Sequence, residues 1–259
     1  MLLRRLALLV GLVSLLAVGA PAFATTVTLE VDGTEGGGSV STWELGGVTT
    51  TDPNNEVEHW QAVDAQGVIS QTNTWGGTGT GVILTGVDAW VKEDPFVTNT
   101  VGLINPLPFA QTFTITVTLP IPAFAYDATI NSSIGVTVTD ANGNGSASAS
   151  SVSPAGIYSG LVDAITILTL MPHSTTVSCA GAGCSNTLSD NSALPQLAAG
   201  PGVATTSVGI RLRFRLSAFD QAAITSRFEI INVPEPTPLL LLGVGLIGLV
   251  IAGRRKPQP

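Results

Sequence analysis

Apolar and polar residues alternate along much of this chain with a period of two. Thr112 to Leu119 reads TFTITVTL, which puts Phe113, Ile115, Val117 and Leu119 on one face and four threonines on the other. Ile134, Val136 and Val138 repeat the pattern with Thr137 and Thr139 opposite, and Ile210, Leu212, Phe214 and Leu216 repeat it with Arg211, Arg213 and Arg215 opposite. Side chains on a strand point alternately to its two faces, so such segments predict half-buried strands. Further strands are predicted at Thr26 to Val31, Ser39 to Leu45, Glu56 to Val63, Val68 to Thr72, Gly81 to Lys92, Phe96 to Leu103, Ala164 to Leu170 and Ala223 to Ile231. Turn residues separate them. No long 3.6-residue apolar pattern with helix caps occurs between Thr25 and Val233.

The fold class expected is all-β, an antiparallel β-sandwich of Ig-like or jelly-roll-like kind. The last two strands are expected to form a hairpin across Ala218 to Gln221, with the chain leaving the sandwich at Ile231. Residues 25–232 are expected to be one ectodomain. The small, polar stretch Asp140 to Ser153 reads as a loop or linker, with a possible split near 141–155.

The two chain ends break the alternation. Arg4 and Arg5 precede an apolar run, Leu6 to Val18, which ends in Ala22-Phe23-Ala24. That is the layout of a Sec-type signal peptide over residues 1–24, cleaved after Ala24. At the other end, Pro234, Glu235 and Pro236 precede an unbroken apolar run, Leu239 to Gly253, and then Arg254, Arg255 and Lys256. Proline fixes φ and has no N–H, so Val233 to Pro238 forms an extended spacer. The apolar run, helical over 238–253, would be about 24 Å long at ~1.5 Å per residue, a little under the roughly 30 Å of a hydrocarbon core. Snorkelling basic residues and a thinned bilayer cover that shortfall, with the basic cluster on the cytoplasmic side.

This tail, with Val233, Pro234, Glu235 and Pro236, the Leu/Gly-rich segment and the Arg254–Arg255 pair, closely resembles the PEP-CTERM sorting signal of exported Gram-negative proteins. The resemblance covers about a tenth of the chain, residues 233–259. It implies recognition by an exosortase, a membrane transpeptidase-like enzyme that cuts near Pro-Glu-Pro and removes the helix. It also implies a setting of exopolysaccharide, biofilm and floc. The expected route is export by Sec, an inner-membrane intermediate, then the cell surface or extracellular space.

Removing both ends leaves Lys92, Arg211, Arg213, Arg215 and Arg227 against eighteen Asp and Glu, a net charge near −13. Nucleic acid rewards many phosphate contacts from Lys and Arg, so it is excluded as a partner. Cys179 and Cys184 frame the loop AGAG. An exported chain meets an oxidising environment, so a local disulfide is expected, with glycines permitting the turn.

Chemistry-bearing patterns are few. There is no G-x-S-x-G, H-E-x-x-H or P-loop, and nothing calls for a cofactor. His59 reads as a surface or packed strand residue that Glu58 cannot orient, and His173 as a loop residue. Asp140, Asn142, Asn144 and Gly145 match the first half of a calcium loop, but Ser151 stands where the bidentate glutamate belongs, so Asp127 or Asp163 would have to contribute. Trp43, Trp60, Trp75 and Trp90 fill a core if buried and stack on sugars if exposed, and Trp75 sits in a predicted loop. Arg211, Arg213 and Arg215, roughly 6.6 Å apart along one strand face, either pair with carboxylates on adjacent strands or grip an anionic polysaccharide. Expected, then, is a non-enzymatic exported surface or matrix protein. A carbohydrate-binding module or adhesin using Trp75 or the arginine face is the alternative, and an envelope hydrolase has no motif behind it.

Overall fold

The computed structural model describes residues 25–37, 39–51, 58–64, 67–68, 73–77, 80–92, 96–121, 128–192, 196–198 and 206–232. The signal-peptide segment with Ala22 and Ala24, and the tail with Val233 to Pro236, Arg254 and Arg255, lie outside them. Within them the chain is all-β apart from a single 3-10 turn at Thr34–Gly36.

The strands in the first half are β1 (Thr26–Asp32), β2 (Val40–Leu45), β3 (Gly47–Thr51), β4 (Glu58–Asp64), β5 (Gly67–Val68), β6 (Asn73–Gly77), β7 (Thr80–Lys92), β8 (Phe96–Ile104) and β9 (Gln111–Pro120). Those in the second half are β10 (Ala128–Thr139), β11 (Ser146–Ser151), β12 (Tyr158–Val162), β13 (Ile165–Leu170), β14 (Thr176–Ala180), β15 (Ser185–Asn191), β16 (Gln196–Ala198), β17 (Ser207–Leu216) and β18 (Gln221–Asn232).

They form two antiparallel sheets. One runs β13-β12-β17-β9-β1-β2, with β11 joining β17 to β14, and the other runs β15-β10-β18-β8-β7-β4-β3, with β16, β5 and β6 beside β10, β4 and β7. The period-two pattern determines what lies between them. Val27, Leu29, Val31, Phe113, Ile115, Val117, Ile210, Leu212 and Phe214 of the first sheet are fully or almost fully buried, and Val87, Ala89, Val97, Val101, Val136, Val138, Ile224 and Phe228 of the second meet them. Phe113 and Phe214, directly opposite in the register, pack with ring centroids 5.9 Å apart.

Polar groups also join the sheets. The Tyr158 hydroxyl on β12 donates to the Arg227 carbonyl on β18 at 2.9 Å. Burial pushes its pKa well above the ordinary tyrosine value, against the opposing effect of the Ser132 side chain. Beside it, Gly160 leaves room for the Phe228 ring, which a Cβ would approach to 2.6 Å. At one end of the sandwich, buried Asn105 donates to the carbonyls of Phe109, Leu216 and Ser217, and accepts from the Leu107 amide and the Gln111 side chain.

Three expectations need correction. The last two strands do not pair with each other: β17 lies in the first sheet between β9 and β12, β18 in the second between β8 and β10. Residues 217–220 therefore cross from sheet to sheet, held by the Ser217 hydroxyl, which bonds to Ser148 and Asp220. The supposed linker Asp140 to Ser153 contains β11, whose small Ala147 and Ala149 are buried. Its Ala/Ser alternation satisfies the pleat without bulky residues. Trp75 lies on strand β6, opposite Val82, rather than in a loop; its side chain is outside the described set.

Candidate functional site

The outer faces of the two sheets carry the exposed chemistry. On the first sheet, the register Arg211↔Thr116, Arg213↔Thr114 and Arg215↔Thr112 places an arginine column on β17 beside a threonine column on β9. The next pairing, Thr116↔Thr28, Thr114↔Glu30 and Thr112↔Asp32, adds a third column on β1, and Thr28↔Glu44 carries the row on to β2. In the register Arg211 has Thr116 and Ser159 beside it and Arg213 has Thr114, so the adjacent strands place no carboxylate directly opposite either of these two. Among the described residues Arg211 and Arg213 form no ion pair.

On the second sheet, the register His59↔Trp90 brings two rings side by side on β4 and β7. The imidazole and indole stack with centroids 4.1 Å apart and planes 10° from parallel. His59 Nε2 lies 2.7 Å from Asp88 Oδ1, which is next along the same face of β7. Trp90 is 46% exposed, whereas Trp60 is buried and Trp43 packs against the core. Across β8, the residue opposite Trp90 is the short Thr98, and beyond it Arg227 lies 5.0 Å over the Phe96 ring and 2.8 Å from Glu229. Among the described residues, this face carries the His59–Trp90 stack and the Phe96 ring among polar side chains.

The Asp88–His59–Trp90 cluster was missed in the sequence reading, which placed the exposed ring at Trp75. Alternation contains the signal. Val87, Ala89 and Val91 form an apolar face, so Asp88, Trp90 and Lys92 must share the outer one.

The partial calcium-loop match at Asp140, Asn142 and Asn144 is engaged by the loop's own backbone, and Asp127 lies outside the described residues. Asp140 is buried and its oxygens accept the amides of Gly143, Asn144, Gly145 and Gly183 at 2.9 to 3.2 Å. Burial raises its pKa, and the four amides outweigh that and hold it below the ordinary value. Asn142 and Asn144 bond to the amides of Asn144 and Ser146. Asp163, the suggested supplementary ligand, accepts from the Thr206 and Ser207 amides and the Thr206 hydroxyl. Among the described residues no group of three or more His, Cys, Asp or Glu is placed to hold a metal.

What the Asp140 loop does hold is the disulfide turn. Cys179 and Cys184 are bonded, with Cα atoms 5.8 Å apart. Gly181 and Gly183 between them take φ of 109° and 68°, which side chains disfavour. The Gly181 amide donates to the Gly145 carbonyl at 2.8 Å, and Gly183 to Asp140. One turn thus leads from β14 in the first sheet to β15 in the second.

The described residues form a two-sheet antiparallel sandwich with differentiated outer faces, a disulfide turn leading from one sheet to the other, and β18 as their last strand. Residues 232–256, starting where β18 stops, match the PEP-CTERM protein-sorting motif. That motif marks an exported protein sorted by an exosortase to the outside of the cell. No curated protein matches the chain. Among solved structures it is similar to TmCBM61 in complex with beta-1,4-galactotriose, at 12% identity over 52% of this chain and 71% of that one; the two superpose poorly, with a TM-score of 0.24.

Proposed function

We propose that this is a non-catalytic protein of the cell surface or extracellular matrix, exported by Sec and trimmed at both ends, and associated with exopolysaccharide or biofilm. The observation that carries the reading is the sorting motif at residues 232–256. It follows a strand held on both sides by β8 and β10, so the body ends in a rigid element and the cleavable segment starts beyond it. Mass spectrometry of the protein from its native host tests the proposal. The expected mature chain starts near Thr25 and ends near Glu235. An intact C-terminus through Pro259 on a correctly located molecule would overturn it.

A second reading, carbohydrate binding at the surface, is favoured by Trp90. An exposed indole fixed by a stacked imidazole offers a rigid face to a sugar ring, and Asp88 adds a hydrogen-bond acceptor beside it. A polysaccharide pull-down with Trp90→Ala, Trp75→Ala and the three arginines changed to Gln discriminates the possible surfaces. Loss of retention with Trp90→Ala alone supports this one, and no retention by any glycan removes it.

A further inference from the structure

We propose that the outer face of the eight-stranded sheet is a self-association surface, on which a second copy of this chain docks about a twofold axis running along β9. The proposal rests on the register and on charge, and it is independent of how the tail is processed.

Along this face β17, β9, β1 and β2 lie side by side. One row reads Arg213, Thr114, Glu30, Thr42, and the next reads Arg211, Thr116, Thr28, Glu44. At ~4.8 Å per strand, the arginine column stands about 10 Å from the Glu30 column, with the threonine column midway. A twofold axis parallel to the strands and lying over β9 exchanges the positions of β17 and β1 between copies. Arg213 then faces Glu30 of the second copy, and Arg211 faces the Thr28 and Glu44 end of the next row. Each contact occurs twice, as an isologous interface requires. The short threonines meet at the axis, so the two sheets can approach to the ordinary sheet-packing distance with their strands nearly aligned.

Within the chain, and among the described residues, Arg211, Arg213, Glu30 and Glu44 all lack an ion-pair partner. Four unpaired charges on one face, arranged so that one rotation matches them, are what a second copy would satisfy. An anionic polysaccharide fits less well. The face carries Glu30, Asp32 and Glu44 against the three arginines, so it is locally near neutral. A polyanion gripping the arginines would also lie about one Debye length, ~10 Å at 0.1 M salt, from the acidic column.

The matched area is small. Four strands by about 20 Å give roughly 400 Å² per copy, about half of a standard interface. The dimer should therefore be weak, concentration-dependent and salt-sensitive, forming where the protein is crowded.

Sedimentation velocity of the exported chain in nonionic detergent, over a concentration series, tests this. At about 50 mM salt a monomer–dimer equilibrium is expected, weakened at least tenfold at about 500 mM. Arg213→Glu alone and Glu30→Arg alone should each reduce association about tenfold or more. Mixing these two variants should restore it, because both cross-contacts then become opposite in sign, and the double reversal should restore it as well. A variant that had merely lost its fold would not be rescued this way. A chain that stays monomeric throughout overturns the proposal, as does failure of both the mixture and the double reversal to dimerise. Arg213-dependent capture of alginate by a monomer, unaffected by Glu30→Gln, also overturns it and assigns the face to a polyanion.

Discussion

The two outer faces of this sandwich start from the same alternation and arrive at different chemistry. That of the first sheet is a set of columns, arginine beside threonine beside acid, with no large aromatic in its charged rows. That of the second is interrupted by a stacked His59–Trp90 pair and by Phe96 under Arg227. Inward, both sheets carry Val, Ile, Leu and Phe in the same periodic way. The lesson is that the pleat commits only half of each strand to the fold. The other half is free to specialise, and here it does so for charge matching on one side and ring contacts on the other.

The broadest way to break the contrast is to remove what the faces share. Phe113→Ala empties the middle of the common core next to Phe214 and should cost about 3–5 kcal/mol in urea unfolding, with both faces lost in one transition. Two separate transitions would show that the sheets do not depend on one core.

The next effect is a pH dependence at the crossover between sheets. Burial, helped by the nearby Asp140 charge and opposed by the Ser217 hydroxyl and the Ala141 amide, raises the Asp220 pKa above the 3.8 of a free side chain. The folded state thus keeps a proton that the unfolded chain releases. The stability this contributes is complete below 3.8 and is lost as pH rises through the raised value. One proton bounds the slope at about 1.4 kcal/mol per pH unit. Asp220→Asn should flatten the curve in that window, and an unchanged slope in denaturant titrations would refute the assignment. Asp140 has the opposite sign, its contribution present above 3.8 and lost as pH falls through its lowered value.

A smaller effect separates the faces. Tyr158→Phe removes the hydrogen bond from β12 to β18 and should lower stability by about 1 kcal/mol in thermal unfolding, leaving the outer surfaces as they are. Smallest in stability is Trp90→Ala, a cross-strand pair contributing roughly 0.2–1 kcal/mol. It should reduce any glycan retention about tenfold, while leaving the salt-sensitive association of the first sheet unchanged. If Trp90→Ala altered that association, the two faces would not be independent.

Legibility varied along the chain for physical reasons. Strands with bulky apolar residues every second position, such as β9 and β17, are plain in the sequence. Strands β11, β14 and β15 were not, because Ala/Ser and polar alternation looks like loop when neighbours are unknown. The disulfide between Cys179 and Cys184 was expected from the spacing and is present. Asp140 shows the converse: a cation-loop pattern describes equally well a carboxylate that binds its own backbone, and only the four amide contacts distinguish the two.

By itself the sequence determined the all-β class, the inward-facing residues of the long strands, the local disulfide and the sorting motif at the C-terminal end. These depend on residues near one another in the chain, where periodicity and spacing act directly. The tertiary structure decided which strands share a sheet, that β17 and β18 part rather than pair, that Trp90 stands on His59, and that Arg213 has threonine and then Glu30 beside it. Those are relations between distant segments, set by strand order and register, and a one-residue slip would turn every one of those side chains to the other face.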